Sequence, residues 1–493
     1  LTPNFVFDDW KNDLRLCIAN LAVLIVAFLV VYFLFRRHKT LLSGSVMIVC
    51  FTLLFLSLLN GMQIREAFKK FPKRDYITEK DITPVYRLSP TQRNVVIVFL
   101  DRFTSAFFPS EIKECPELSA GLSGFVYYPN TISYGMHTIV GAPALLGGYE
   151  YRPEQINERK REALQHKIDE AFSVLPRIFS TSGFTVIFSN PNDIGASSGF
   201  LSSIPFISTP ETNHVYRNLW YTRHRQEVLP ARSAIIKRDL LCLSFFKCAP
   251  VSLRPILYWH DWWDIQKQKD IGNFIDSYAA LDLLPELTDC TAKKPSFLFI
   301  HNLLPHEAQF LDAPGFTVPP SRNSYVAKSV SSFSDMPEYY SAAASIQLLA
   351  KWLYYLKAQG CYDNTRIIIA SDHGARVNTG RFKENAVCPS ADACNPLLLV
   401  KDFNHNGSLK TDTSFMTQAD VPSLATEGII INPANPTTGR PISMKDKHGV
   451  QKLYMNHMMS IRKEDTIFKT HPSEWYTVHD SIFNPTDWGR IEQ

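Results

Sequence analysis

Two long apolar runs near the amino terminus constrain this chain more than any other feature. "LRLCIANLAVLIVAFLVVYFLF", Leu14 to Phe35, carries one charge at its edge, and "LLSGSVMIVCFTLLFLSLLNGM", Leu41 to Met62, carries none. Each is long enough to cross a bilayer as a helix. A cleaved leader fits poorly, because there are two runs and no small-residue cleavage pattern follows them. The connection "RRHKT", Arg36 to Thr40, is basic and by the positive-inside tendency faces the cytoplasm, which places everything after Met62 on the outer side. The basic stretch "REAFKKFPKR", Arg65 to Arg74, then reads as an amphipathic segment on the lipid head groups, with Phe68 and Phe71 toward the membrane. The expected organisation is an anchor over residues 1–62, a juxtamembrane linker over 63–93 and an extracytoplasmic domain over 94–493. The sequence opens at Leu1 rather than methionine, which is compatible with a longer protein carrying further membrane helices upstream.

The formal charge of +4 is too small to argue for nucleic acid, and no basic strip interleaved with aromatics appears. Cys17 and Cys50 fall in the apolar runs. In an oxidising compartment the short separations Cys242/Cys248 and Cys388/Cys394 suggest two local disulfides, with Cys115, Cys290 and Cys361 less determined.

Beyond Pro90, buried-strand patterns alternate with helical ones. "NVVIVFLD" (Asn94–Asp101), "FTVIFSN" (Phe184–Asn190), "SFLFIHN" (Ser296–Asn302) and the run Ile367–Ala370 read as strands buried on both faces. "REALQHKIDEAFSVLPRIF" (Arg161–Phe179) and "YYSAAASIQLLAKWLYYLKAQG" (Tyr339–Gly360) read as helices, the second closed by a glycine. This alternation predicts an α/β three-layer sandwich with a mainly parallel sheet. The stretch from Asn213 to Asp282, rich in Trp, Tyr and Arg, reads as an insertion, and Trp262 and Trp263 in "HDWWD" pack or stack on substrate.

Three of these strands end in polar groups: Asp101, His301 with His306, and Asp372 with His373 in "IIIASDHGAR". Strands of such sheets deliver functional groups at their carboxyl ends. A carboxylate beside an imidazole suits a divalent cation, and the other reading of Asp372 is a helix cap. In "NTISYGMHTIVGAPALLGGYEY", Asn130 to Tyr151, a helix beginning at Thr138 would point its hydroxyl at a metal while free backbone N–H groups favour an anion.

Together "VVIVFLD", "HTIVGAPALLGG", "FLFIHNLLPHEAQFLD", "YDNTRIIIASDHG" and "NPLLLV" resemble, in order from about Asn94 to Ala425, the alkaline phosphatase superfamily. The resemblance is to its sulfatase-like, membrane-anchored phosphoglycerol and phosphoethanolamine transferases. It implies that Asp101, Asp372 and His373 hold the metal, that Thr138 is the nucleophile and also touches it, and that His306 contacts the substrate phosphate or assists the leaving group. His301 either supports the site or acts directly, and Arg376 is a substrate-binding candidate. One divalent ion is implied; the imidazole favours zinc or manganese, with magnesium also compatible. The implied donor is a phospholipid, and the acceptor a glycan, a lipid-linked saccharide or an envelope polymer. The implied location is a bacterial cytoplasmic membrane, multi-pass, with the domain facing the periplasm or exterior.

Departures from the pattern bear on the chemistry. Sulfatases present two adjacent aspartates on the first strand and a Cys/Ser-x-Pro/Ala-x-Arg signature, whereas here Asp101 precedes Arg102 and Thr138 precedes Ile139 and Val140. This argues against sulfate-ester hydrolysis, although water as acceptor would make the chain a phosphodiesterase-type hydrolase. A different class of function is a catalytically silent relative, a lipid-binding scaffold in envelope assembly. His137 is either a further ligand or an ordinary surface residue.

Overall fold

The computed structural model describes residues 14–70, 79–197, 199–205, 207–224, 249–254, 271–320, 326–455 and 465–491. The chain forms two units, one from residues 1–75 with 228–270, the other from residues 76–227 with 271–493.

In the first unit, helices α1 (Leu14–Arg37) and α2 (Lys39–Lys70) pair across a break at His38. The windows Cys17–Arg37 and Lys39–Gln63 are long and apolar enough to cross a membrane, and neither is buried by protein. Phe28, Phe51 and Leu58 are each about two-thirds exposed, which a soluble core helix would not tolerate. Helix α2 continues past Met62 to Lys70, and Phe71, Cys242, Cys248, Trp262 and Trp263 lie outside the described residues.

The second unit has an α/β fold. Its eight-stranded sheet comprises β1 (Asn94–Leu100), β2 (Phe125–Tyr127), β3 (Thr185–Phe188), β4 (Ile207–Ser208), β5 (Ser296–Asn302), β6 (Thr365–Ala370), β7 (Leu398–Lys401) and β8 (Lys410–Thr411). Their order is β8-β2-β7-β6-β1-β5-β3-β4. The five strands β6, β1, β5, β3 and β4 run parallel, and β7 is antiparallel to both its neighbours. The unit starts well before residue 94, since Tyr86–Arg87 pairs with Thr288–Asp289.

Strands β1, β5 and β6 are buried at every position, as their unbroken apolar patterns require. Val95, Ile97 and Phe99 face a core completed by α3 (Thr138–Gly147) and α4 (Leu164–Thr181). Helices α5 (Ile271–Asp282) and α6 (Pro337–Ala358) pack against each other, and α6 buries Trp352, Leu353 and Leu356. A three-stranded antiparallel sheet follows near the carboxyl end (Gln451–Tyr454, Trp475–Val478, Trp488–Arg490), which the sequence reading did not anticipate.

The expected Cys388–Cys394 disulfide is corrected: both are free and buried. They fill a small apolar cluster with Leu453 and Val478, and the Cys388 thiol turns to the Met455 sulfur at 3.3 Å. Cys115, Cys290 and Cys361 are likewise free.

One close approach fixes α3 against the sheet edge. A Cβ built on Gly141 would meet the Asp372 carbonyl oxygen at 2.4 Å, so the helix and the segment after β6 touch backbone to backbone. Gly141→Ala is expected to cost about 1–3 kcal/mol in urea unfolding, as overpacked sites do. Gly407→Ala, with nothing within 4 Å of its Cβ, is expected to stay within about 0.5 kcal/mol.

Candidate active site

Parallel register brings the functional groups to one edge. Phe99 of β1 pairs with His301 on one side and Ala370 on the other, so Asp101, His301 and the Asp372–His373 pair emerge together at the carboxyl ends of adjacent strands. Helix α3 opens at Thr138, with His137 extended before it. The helix amino terminus carries partial positive charge and backbone N–H groups, suited to a phosphoryl or sulfuryl anion.

The Thr138 hydroxyl donates to Asp101 Oδ2 at 3.3 Å. Asp101, Asp372 and His373 each offer an atom within 4.8 Å of the other two, and all three are buried. His373 Nε2 stands 3.9 Å from Asp101 Oδ1 and 3.6 Å from Asp372 Oδ2. Those same two oxygens have no hydrogen-bond partner. Buried polar atoms are almost always paired, so orphaned oxygens facing an imidazole nitrogen fit a cation between them.

The surroundings fix each donor. His373 Nδ1 lies 2.8 Å from the Gly374 carbonyl, which can only accept, so Nδ1 carries the proton and Nε2 presents its lone pair inward. Asp372 Oδ1 accepts from the backbone of Arg102 at 3.1 Å and of His373 at 3.0 Å. Arg102 adopts a left-handed backbone (φ 65°), a strained choice for a long side chain that turns its N–H toward Asp372. The Ser371 hydroxyl donates to His373 O and accepts from Phe103 N, and Gln418 Nε2 donates to the carbonyls of Ser371 and Asp372.

Burial raises the Asp101 carboxyl, but His301, His306 and His373 outweigh it and hold the group well below its ordinary range. Asp372 moves the other way: burial and then repulsion from Asp101 push its carboxyl up. Two carboxylates this close repel by about 3 kcal/mol at an effective dielectric of 20. A divalent ion removes that conflict.

Among the other expected residues, His301 is fully buried at the edge of the cluster. Its Nε2 lies 3.9 Å from Asp101 and its Nδ1 3.9 Å from Asp193. His306 sits exposed on the turn after β5, near enough for its charge to act on Asp101. Arg376 is exposed at the rim and donates to His137 Nε2 at 2.6 Å. His137 lies outside the cluster of Asp101, Asp372 and His373 and is hydrogen-bonded to Arg376.

Asp193 escaped the sequence reading. It follows β3 in "NPNDIG", an end-of-strand carboxylate like the others, and that position was the available signal. Asn213 holds it at 2.8 Å and His214 at 3.4 Å, and His214 reaches on to Asp276 at 3.3 Å. Between two carboxylates the His214 imidazole is pushed up to about 9. A second grouping of carboxylates with histidine, Glu162, His166 and Glu170, is already engaged: Arg159 pairs with both glutamates.

The sulfatase family model matches residues 93–422, well over half of the chain, and the chain belongs to that family. It is a sulfatase-family enzyme, and members of that family use a metal ion. The chain is similar to a solved alkaline phosphatase superfamily protein of Vibrio parahaemolyticus, at 13% identity and TM-score 0.41, covering 82% of this chain and 84% of that one. It is similar to the lipoteichoic acid synthase LtaP of Listeria monocytogenes, at 11% identity and TM-score 0.40, covering 83% and 89%. It is also similar to the phosphonate monoester hydrolase of Agrobacterium radiobacter, at 14% identity and TM-score 0.36, covering 78% and 85%. No curated protein sequence matches the chain.

Cation and proton compete for Asp372, so affinity for a divalent ion is expected to fall up to about tenfold per pH unit below its raised pKa, measured by calorimetry. The sign for stability is opposite without metal. A carboxyl raised in the folded state binds its proton more tightly there, so metal-free protein loses stability as pH rises above the ordinary carboxylate range. Added zinc or manganese is expected to restore the melting temperature, and Asp372→Asn to abolish that restoration.

Proposed function

We propose that this chain is a membrane-anchored transferase that moves a phosphoryl-linked head group, phosphoglycerol or phosphoethanolamine, from a phospholipid to an envelope acceptor. The acceptor is a glycan, a lipid-linked saccharide or a polymer, and the site faces the periplasm or exterior. The carrying observation is the Thr138 hydroxyl at the start of α3, hydrogen-bonded to Asp101 beside Asp372 and His373. A threonine followed by Ile139 and Val140 is not the Cys/Ser signature of sulfate-ester hydrolysis, and a hydroxyl nucleophile suits a covalent phosphoryl intermediate. The two exposed apolar helices supply the anchor that a lipid donor calls for.

A divalent ion held by Asp101, Asp372 and His373, zinc or manganese by its donor set, would neutralise charge on the phosphoryl oxygens. The chain's own groups do the rest. Asp101 accepts the hydrogen bond of the attacking Thr138 hydroxyl and orients its oxygen. The Thr138 O–P bond forms as the P–O bond to diacylglycerol breaks; the Thr138 hydroxyl proton leaves to solvent, and His306 supplies the proton to the departing alkoxide. In the second half the acceptor oxygen bonds to phosphorus, the Thr138 O–P bond breaks, Thr138 regains a proton from solvent, and the acceptor's proton returns to His306. Arg376, held by His137 at the rim, meets negative charge on the incoming groups.

Intact-mass analysis with peptide mapping, after incubation with metal and vesicles of phosphatidylglycerol and phosphatidylethanolamine, tests this reading. A head-group adduct on Thr138 is expected, with its added mass naming the donor; Thr138→Ala is expected to be folded and unmodified. Absence of any adduct, together with absence of bound metal, would instead favour a silent lipid-binding scaffold.

A further inference from the structure

The turn Ala249–Arg254 groups with the amino-terminal helices rather than with the second unit, and it lies against α1. The Val251 backbone N–H donates to the Asn20 side-chain oxygen at 3.2 Å. Asn20 is the one side-chain amide between Cys17 and Arg37, about one helical turn inside the apolar window. A polar side chain at that depth calls for a partner, and here the partner is the backbone of this turn.

Part of the turn's backbone is met locally, as suits backbone beside lipid: Leu253 N donates to Pro250 O at 2.9 Å, Arg254 N to Val251 O, and Arg254 Nε to the Ala249 carbonyl at 3.2 Å. Val251 is buried while Leu253 projects outward, 47% exposed. The surrounding sequence is apolar and basic: Arg232, Lys237, Arg238, Lys247 and Arg254 stand against the single acid Asp239 between residues 228 and 254. That balance complements anionic head groups.

We propose that the turn Ala249–Arg254 is a lipid-contacting element which docks on α1 through Asn20 and sets Leu253 into the head-group and acyl boundary of an anionic leaflet. This rests on the membrane reading of α1 and α2 and is independent of the Thr138 chemistry. The test uses the full chain in nanodiscs of phosphatidylglycerol and phosphatidylethanolamine, with p-benzoylphenylalanine in place of Leu253, of Val23 on the exposed face of α1, or of Ile431, 91% exposed in the second unit. After irradiation, mass spectrometry is expected to find lipid adducts at Leu253 and Val23 and not at Ile431. Adducts at Val23 with a yield at Leu253 no higher than at Ile431 would overturn the docking while the anchor stands. No adduct at Val23 would remove the anchor and the proposal with it. Asn20→Leu is expected to lower the Leu253 yield about threefold, the worth of one hydrogen bond between membrane segments; an unchanged yield would overturn the role of Asn20.

Discussion

The repulsion between Asp101 and Asp372 is the constraint on which the rest of the site depends. Two buried carboxylates at the ends of neighbouring strands are unfavourable on their own. The fold answers asymmetrically: three histidines lower the Asp101 carboxyl, whereas Asp372 takes two backbone N–H groups. One of these comes from Arg102, held in a left-handed conformation that only a tightly packed surrounding can enforce. What remains unpaired is one oxygen on each carboxylate, and both face the lone pair of His373.

Around this cluster the polar groups are layered. Ser371 and Gln418 tie down the loop that carries Asp372 and His373, and Thr104 receives the backbone N–H of Ala375 at 2.7 Å. On the opposite side His301 connects Asp101 to Asp193, His214 and Asp276, a row of alternating imidazole and carboxylate closed by Arg217. Within that row the His214 imidazole lies within hydrogen-bond reach of Asp193 and Asp276, and Arg217 pairs with Asp276. Asp101 itself has His301 Nε2 at 3.9 Å and accepts from the Thr138 hydroxyl at 3.3 Å.

Much of this was legible in one dimension. The apolar strands ending at Asp101, Asn302 and Ala370 form with nearly the expected bounds, because full burial on two faces leaves no room for alternation. The helix beginning at Thr138 was readable from hydroxyls preceding a small-residue run. The carboxyl-terminal three-stranded sheet was not, since strands of three or four residues with mixed burial leave too short a pattern. The Cys388–Cys394 expectation failed because sequence separation carries no information about which way two thiols point.

The sequence by itself determined the α/β architecture, the two apolar helices and the identity of Asp101, Thr138, Asp372 and His373 as the groups to watch, because burial pattern and residue chemistry are local properties. Only the tertiary structure decided which oxygens stay unpaired, that His137 meets Arg376, and that Asp193 lies beside His301. It alone joined Val251 to Asn20, across 231 positions of sequence. Those facts depend on strand order and chain crossings, and in a parallel sheet neighbours in space are separated in sequence by whole helices.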